Sequence, residues 1–420
     1  MSSNELKLNA FGILIRAYLR LFCMQIGLLG KTNVGKSTFF SAATQTTAQI
    51  GNYPFTTIEP NVGIAYVKTD CACKHFTMTH NHPLCINGTR YIAVKLIDVA
   101  GLVPGAHEGK GLGNKFLDDA RTSEVLIHVI DASGSTDIQG QSVPVGTHDP
   151  MEDVKFVEDE FDQWMKQILQ REWQKLAREL ESKSGKVIQA IAQRFSGLGI
   201  DEYDVESVVH ALNLQSKKPH DWNEDDLSTF IKTLRKRTKP IVIAANKSDL
   251  CHDLDILDEF KKIHPAVACS AETELLLRKA AKNGIIDYLP GEKSFKIKDG
   301  LNLNPPQQKA LELAEKVISK LDGTGVQQVL DYACFDLLQM ITVFPVEDET
   351  KLCNKNGEVL PDAKLLRVGA TARDLAKSIH QDLAKGFLFA IDAKTKQRVG
   401  AEHHLKNGDV LKIVSTLSRG

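Results

Sequence analysis

Short apolar runs alternate with longer polar and amphipathic stretches along most of the chain. Six runs hold four to seven mostly apolar residues each, at 24–29, 62–67, 91–97, 125–130, 240–245 and 266–269. Continuous apolar runs of this length are typical of strands that are buried on both faces of a sheet. With helical patterns between them, they predict an α/β fold with a doubly wound core.

A purely helical stretch interrupts this alternation at residues 150–237. Apolar residues at steps of three and four predict amphipathic helices over 154–169 and 176–195, and shorter helices follow at 204–212 and 227–234. We expect their apolar faces to pack against one another rather than to form a groove for a partner.

The end of the chain has a third pattern. Helical stretches at 301–321 and 326–340 lead into short strand-like runs, with one more helix among them at 372–383. The strand-like runs lie at 341–345, 365–368, 387–391 and 410–414. This mixture predicts a small β-grasp fold.

The composition indicates a globular protein with two or three domains. The chain has 420 residues, of which 42% are hydrophobic and 25% are charged, and its net charge is −1. This balance excludes a disordered chain, a strongly basic nucleic-acid coat and an acidic tail protein. Eight cysteines over this length are too sparse for a disulfide framework, so we expect reduced thiols, no disulfides and a cytoplasmic location.

Residues 1–23 stand apart from the rest. The segment 11–23 is mostly apolar, but it contains Arg16 and Arg20 and is shorter than the roughly 20 apolar residues that span a membrane. No small-residue cleavage site of the signal-peptide kind follows it. Our preferred hypothesis is that translation starts at Met24, and the alternative is an amphipathic surface helix.

A phosphate-binding motif directly follows the first apolar run. Residues 30–37 read GKTNVGKS, which matches G-x-x-x-x-G-K-[ST] between a strand and a helix. Backbone N–H groups of such a loop encircle phosphate oxygens, Lys36 lies between the β- and γ-phosphates, and the Ser37 hydroxyl binds Mg²⁺. The candidate contact residues are Gly30, Lys31, Thr32, Asn33, Val34, Gly35, Lys36, Ser37 and Thr38.

Three further positions are candidates for sensing the γ-phosphate. Thr57 ends a polar stretch before the second run, where a threonine can close over Mg²⁺ and the γ-phosphate. Asp98 follows the third run and can hold a water bound to Mg²⁺. The Gly101 backbone N–H can donate to the γ-phosphate.

The last two runs end in residues suited to a guanine base. Asp249 can accept from both N1–H and the exocyclic amine, a pair of donors that adenine lacks. Lys247 can cover the base with its alkyl stem, and Asn246 can join this loop to the phosphate loop. The backbone N–H of Ala271 can donate to guanine O6, in a loop that also contains Ser270 and Glu272.

This set of motifs resembles the Obg-like GTPases, and among them the YchF-related proteins of the archaeal and eukaryotic branch that kept guanine specificity. Four stretches carry the resemblance: GKTNVGKSTFF at 30–40, NYPFTT at 52–57, DVAGLVPGA at 98–106 and GKGLGNKFL at 109–117. Two more stretches resemble a TGS domain, GATARDLA at 369–376 and LKNGDVL at 405–411.

The resemblance implies a domain organisation. After an N-terminal extension at 1–23, it assigns a P-loop NTPase domain of the TRAFAC type to 24–149 and 238–303, a helical insert to 150–237, connecting helices to 304–338 and a β-grasp TGS domain to 339–420.

The resemblance also implies an activity. Members of this branch hydrolyse GTP to GDP and phosphate with Mg²⁺ and associate with ribosomes or RNA, which the TGS domain would contact here. YchF proper is an ATPase with glutamate at the base-reading position, whereas this chain keeps Asp249, so GTP is the expected ligand. An ATPase, or a nucleotide-dependent binding module with negligible turnover, is the alternative.

The catalytic group is less clearly marked. Leu102 stands where most GTPases have the glutamine that orients the attacking water, so slow turnover is expected. The resemblance points to Asn33, because asparagine at this position accompanies potassium binding in related GTPases; the alternative is a loop-capping amide. His107 can position water or be merely solvated, and Asp118 and Asp119 stand where YchF proteins commonly have a histidine.

A second group of candidate ligands lies between the second and third runs. Three cysteines and three histidines fall within 15 residues: Cys71, Cys73, His75, His80, His82 and Cys85. They could bind tetrahedral Zn²⁺. The spacing favours the other interpretation, a polar surface loop with reduced thiols, because C-x-C is tighter than the usual C-x₂-C and no second pair follows.

Overall fold

In the described part of the chain, an eight-stranded sheet, a five-stranded sheet, a small two-stranded sheet and a set of helices form the protein. The computed structural model describes residues 24–45, 57–59, 61–99, 121–170, 173 and 187–417. The strands are β1 Gln25–Leu29, β2 Thr57–Glu59, β3 Val62–Asp70, β4 Cys85–Ile86, β5 Thr89–Asp98, β6 Val125–Asp131, β7 Ile241–Asn246, β8 Ala266–Ala268, β9 Ile286–Asp287, β10 Lys296–Ile297, β11 Met340–Val346, β12 Lys364–Arg367, β13 Phe387–Asp392, β14 Arg398–Val399 and β15 Val410–Ser415.

The α-helices follow the same chain order. They are α1 Lys36–Thr44, α2 Pro150–Gln170, α3 Val187–Phe195, α4 Glu202–Ala211, α5 Glu224–Thr238, α6 Ile256–Lys261, α7 Ala271–Lys282, α8 Pro305–Leu321, α9 Val326–Asp331, α10 Ala372–Ile379 and α11 Gln381–Lys385. A π-helix, Tyr332–Leu337, continues α9.

The large sheet has the strand order β2-β3-β5-β1-β6-β7-β8, and β4 pairs with β5. Strands β5, β1, β6, β7 and β8 run parallel, whereas β2 and β3 are antiparallel to their neighbours. In such a sheet a ligand binds beyond the carboxyl ends of the parallel strands. The predicted doubly wound α/β core is confirmed.

Helices cover both faces of this sheet. On one face, Ile26 and Leu28 of β1 belong to an apolar cluster with Phe39 of α1 and Val326 of α9. On the other face, Leu29 of β1 belongs to the cluster formed by the helices α2 to α5. The described helices of the stretch 150–237 therefore pack through their apolar faces, as the pattern predicts.

A second sheet near the C-terminus has the order β12-β11-β15-β13-β14. Strands β11 and β15 are parallel in its centre, and the outer pairs are antiparallel. Leu375 of α10 packs against Ile341 and Leu411 of this sheet. This arrangement agrees with the predicted β-grasp fold.

Two helix predictions near the C-terminus are wrong. The stretch 326–340 is α-helical only to Asp331, then forms the π-helix, and β11 already begins at Met340. The stretch 372–383 is two helices rather than one, because His380 is extended (φ −163°) and its side chain caps α11 by accepting from the Asp382 N–H. Amphipathic spacing does not detect either break. Of the predicted helix 176–195, only 187–195 lies among the described residues.

In the part of the chain that the structure describes, no helix combines the length and the apolar character that crossing a membrane requires.

Candidate nucleotide-binding site

The phosphate loop joins β1 to α1 through three residues with positive φ. These are Gly30 (φ 148°), Asn33 (φ 65°) and Gly35 (φ 90°). A Cβ on Gly30 would lie 2.6 Å from the Val129 carbonyl oxygen, and one on Gly35 would overlap the Asn246 amide nitrogen. Both positions therefore need glycine because of close approach as well as backbone conformation.

The carboxyl end of β5 meets the start of α1. The Lys36 ammonium forms an ion pair with Asp98, and the Ser37 hydroxyl oxygen lies 3.5 Å from the other Asp98 carboxylate oxygen. A hydroxyl and a carboxylate at this distance are hard oxygen donors of the kind that Mg²⁺ prefers. Ser37 and Asp98 are therefore suited to the predicted magnesium site, and Lys36 lies beside them.

Asn246 links the base side of the site to the phosphate loop. Its side-chain nitrogen donates to the Val34 carbonyl oxygen at 2.9 Å, and its side-chain oxygen accepts from the Ala271 N–H at 3.0 Å. The Ala271 N–H, which the sequence assigns to guanine O6, thus donates to Asn246 here. Its contact with a guanine base stays a prediction and would require this N–H to change or share its partner.

Lys247 and Asp131 form a charged pair at the ends of β7 and β6. The Lys247 ammonium lies 2.7 Å from Asp131, which ends β6 and is fully buried. Burial by itself would raise the pKa of the Asp131 carboxyl, but hydrogen bonds from Lys247, Ser133, Thr136 and Ser135 outweigh this and lower the pKa. The carboxylate is thus held ionised and fixes the stem of Lys247 along the pocket wall.

The loop after β6 folds over the phosphate loop, which no motif predicted. The Asn33 amide nitrogen donates to the Gly140 carbonyl oxygen at 2.7 Å. The buried Lys31 ammonium donates to the Thr136 carbonyl oxygen at 2.8 Å and pairs with Asp153 of α2 at 2.8 Å. Lys31 therefore presents its backbone, rather than its ammonium, to a ligand.

These loops enclose a pocket of about 720 Å³, within the usual range for small-molecule sites. All the candidate contact residues line it except Gly30 and Val34, and Leu250 is an additional lining residue. The lining residues are Lys31, Thr32, Asn33, Gly35, Lys36, Ser37, Thr38, Asn246, Lys247, Asp249, Leu250, Ser270, Ala271 and Glu272.

Some predicted residues lie outside the described part of the chain. Gly101, Leu102 and His107 are among them, and of Thr57 only the backbone, at the start of β2, is described. Their roles remain predictions.

A buried polar network supports α1 from behind the site. Arg278 of α7 pairs with Glu274 at 2.5 Å and donates to the Ala43 carbonyl oxygen near the end of α1 at 3.1 Å. Gln327 joins it to Asp331, which also accepts from the Lys68 N–H at 2.9 Å. Burial raises the pKa of Asp331 to about 7, against these hydrogen bonds, which lower it.

The candidate zinc ligands divide into two sets. Cys71, Cys73, His80 and Cys85 lie together, whereas His75 is exposed. His82 faces away: its Nδ1 accepts from the Leu84 N–H at 3.1 Å. The expected surface position is wrong for Cys71 and Cys73, because both are buried against the C-terminal sheet.

Family models match three parts of the chain. Residues 25–171 match the 50S ribosome-binding GTPase model, residues 244–348 match the G4 motif-containing domain of the Obg-like GTPase YGR210-like, and residues 357–415 match the TGS domain.

Whole-chain relatives agree with these matches. An uncharacterized GTP-binding protein of Methanocaldococcus jannaschii is 48% identical over 93% of this chain and 98% of its own. An uncharacterized GTP-binding protein of Schizosaccharomyces pombe is 36% identical over 84% of this chain and 89% of its own. The human Obg-like ATPase 1 is 26% identical over 87% of this chain and 82% of its own.

Solved structures share the fold. A GTP-binding protein from Pyrococcus horikoshii has a TM-score of 0.74 at 40% identity, covering 94% of this chain and all of its own. The Schizosaccharomyces pombe YchF GTPase has a TM-score of 0.55 at 20% identity, covering 93% of this chain and 97% of its own, which shows the fold alone. The phosphate loop, the asparagine bridge and these relatives lead to one conclusion: the chain belongs to the Obg-like, YchF-related family of GTP-binding proteins and carries a C-terminal TGS domain.

Proposed function

We propose that this protein binds GTP with Mg²⁺ and hydrolyses it slowly to GDP and phosphate. The observation that carries the proposal is the Asn246 bridge, because it holds the loop of Asp249 against the phosphate loop. One pocket thus offers a carboxylate for a guanine base at one end and Lys36 and Ser37 for phosphates and Mg²⁺ at the other, where Asp98 pairs with Lys36.

Ligand binding requires an exchange of partners at the phosphate end. Lys36 pairs with Asp98, and a β,γ-phosphate group would attract its ammonium instead. Asp98 is then released to hold a water of the Mg²⁺ that Ser37 binds, and this Mg²⁺ neutralises the phosphate charge. Thr57 and Gly101 would complete this end of the site, as the sequence predicts.

Asn33 is our candidate for a potassium ligand. Its amide nitrogen is used by Gly140, which leaves the amide oxygen to coordinate a cation beside the phosphates. Potassium there would supply the charge that an arginine supplies in other GTPases. We expect phosphate release to be faster in potassium than in sodium. This difference should be abolished in Asn33→Ala and retained in Thr32→Ala.

His107→Ala should slow single-turnover hydrolysis if His107 positions the water.

An ATPase is the second candidate. The human relative is named an ATPase, and the Ala271 N–H that would read guanine O6 is engaged by Asn246. Fluorescent GDP and ATP analogues, titrated side by side, distinguish the two. We expect GDP to bind more tightly, and Asp249→Ala to weaken it about 10- to 150-fold through the loss of charged hydrogen bonds. Equal or tighter ATP binding would overturn the GTPase proposal.

We also propose that the nucleotide state controls attachment to ribosomes or other RNA through the TGS domain. The support is the ribosome-binding GTPase model and the TGS model that match the chain. Co-sedimentation with ribosomes should differ between GDP and a non-hydrolysable GTP analogue, and equal sedimentation in both would contradict the proposal.

Guanine binding without phosphate release would place the protein among nucleotide-dependent binding modules.

A further inference from the structure

Three thiols and one imidazole converge at the end of the β3–β5 pair that lies opposite Asp98. The Sγ atoms of Cys71, Cys73 and Cys85 and a ring nitrogen of His80 all lie within 4.8 Å of one another. Cys71 Sγ is 3.5 Å from His80 Nε2, and Cys73 Sγ is 3.9 Å from Cys85 Sγ. All three cysteines are free.

These separations match the edges of a metal tetrahedron. With Zn–S bonds of about 2.3 Å and Zn–N bonds of about 2.0–2.1 Å, tetrahedral angles place two sulfurs about 3.8 Å apart and a sulfur and a nitrogen about 3.6 Å apart. The observed 3.9 Å and 3.5 Å agree with both values. A disulfide would instead need sulfurs at about 2.05 Å.

The backbone fixes this arrangement from two sides. Cys71 follows β3 and starts a 3₁₀ turn, Ala72–Lys74, that contains Cys73. Cys85 lies on the short hairpin of β4 and β5, whose turn has positive φ at Asn87 (51°) and Gly88 (75°). The Cys71 N–H donates to the Gly88 carbonyl oxygen at 2.9 Å, so the two turns are held face to face.

A buried arginine balances the charge of such a site. Three thiolates and Zn²⁺ carry a net charge of −1. Arg90 is the backbone neighbour of Cys85 in the antiparallel β4–β5 pair, and its side chain is 2% exposed. Its guanidinium donates to the Pro361 carbonyl oxygen at 3.2 Å, so it also joins the cluster to the C-terminal domain.

We propose that Cys71, Cys73, His80 and Cys85 bind one structural Zn²⁺. Four protein ligands fill a tetrahedral shell and leave no open position, so the site is structural rather than catalytic. Buried thiols offer one another only weak hydrogen bonds, and the metal satisfies all of them at once.

The metal shapes the surface on which the C-terminal domain docks. Ala72 and Cys73 belong to one apolar cluster with Phe344, Val346 and Val410 of the second sheet. Residues 71–85 contain no regular element longer than the 3₁₀ turn of three residues. Zn²⁺ therefore supplies the cross-links that hold this loop in its docking conformation.

The first test is the metal content of the full chain, purified without a chelator or a metal-affinity tag. Elemental analysis should find one equivalent of zinc. Exchange for Co²⁺ under reducing conditions should give the visible d–d bands of tetrahedral cobalt and the near-ultraviolet charge-transfer band of thiolate ligands. No zinc, together with no tetrahedral Co²⁺ spectrum, would overturn the proposal.

Variants identify the ligands. His80→Ala should weaken Co²⁺ binding by more than the roughly 10- to 100-fold that loss of an outer-shell partner costs, whereas His75→Ala, in the same loop, should bind normally. If His80→Ala does not fold, His80→Cys serves instead: it should keep one equivalent of metal and strengthen the thiolate charge-transfer band. Three outcomes would refute the assignment. They are unchanged Co²⁺ binding in a folded His80→Ala, an unchanged thiolate charge-transfer band in His80→Cys, and loss of metal in His75→Ala.

Discussion

Replacing Asn246 by alanine tests whether one carboxamide assembles the nucleotide pocket. The side chain is 3% exposed and makes two hydrogen bonds, to the Val34 carbonyl oxygen and from the Ala271 N–H. Each buried group that loses its partner costs about 1–3 kcal/mol. Because water can enter the open side of the pocket, we use the lower half of this range and expect a total of about 2–4 kcal/mol.

This free energy should appear mainly in nucleotide binding, since the phosphate loop and the base loop have to be held together for one ligand to contact both. A loss of about 2–4 kcal/mol corresponds to a GDP dissociation constant raised roughly 30- to 1,000-fold. The assay is titration of a fluorescent GDP analogue, with urea unfolding of the same samples to measure the share lost from stability.

The control is another asparagine with a structural hydrogen bond. Asn304 caps α8, where its side chain accepts from the Gln307 N–H at 2.9 Å, and it does not line the pocket. Asn304→Ala should cost about 1 kcal/mol of stability and leave GDP affinity unchanged. Wild-type affinity in Asn246→Ala, or an equal loss in both variants, would refute the reasoning.

Three further variants test other parts of the structure. Gly35→Ala should weaken GDP binding about tenfold or more. The left-handed backbone conformation costs an alanine about 1–2 kcal/mol, and the added Cβ would overlap the Asn246 amide. Unchanged GDP binding would contradict this geometry of the phosphate loop. Arg235→Met should lower the free energy of unfolding by about 3–5 kcal/mol, because Asp162 and Glu158 of α2 lose their fully buried arginine and Glu158 keeps only His264. The exposed Arg237→Met should cost under about 1 kcal/mol, and equal urea midpoints for the two variants would disprove this reasoning. Asp331→Asn should change the pH dependence of stability: the native carboxyl keeps its proton up to about pH 7 and the unfolded one loses it near about pH 4. The free energy of unfolding of the wild type therefore falls by up to about 1.4 kcal/mol per pH unit between these two values. Its urea midpoint should fall below that of Asp331→Asn as the pH rises. Midpoints that change in parallel with pH would contradict the assigned pKa.

The sequence predicted the parts of the site that lie at the ends of strands. The apolar runs located β1, β5 and β7. Lys36 and Asn246 line one pocket and Asp98 contacts Lys36, because the parallel strands end at one edge of the sheet. These site residues belong to short local motifs, so a single sequence is enough to find them.

Contacts between distant segments could not be predicted in this way. Gly140 and Asp153 reach the phosphate loop from the loop after β6 and from α2, and neither belongs to a motif. Burial of Cys71 depends on a sheet that begins some 270 residues later in the chain. Spacing alone therefore suggested an exposed loop, and only the packed fold shows that these thiols are enclosed.

The connection between the large sheet and the C-terminal sheet determines whether the two domains can be studied as separate fragments. The chain passes from α9 through the π-helix into β11 with only Leu338 and Gln339 between them. Leu338 and Met340, together with Leu365 of β12, pack into the same apolar cluster as β1 and α1. The C-terminal domain therefore cannot be removed without affecting the rest of the protein. A chain truncated after residue 338 would lose Met340 and Leu365 from the apolar cluster that supports β1 and α1. Any loss of function in such a fragment would reflect this exposed core as well as the missing domain.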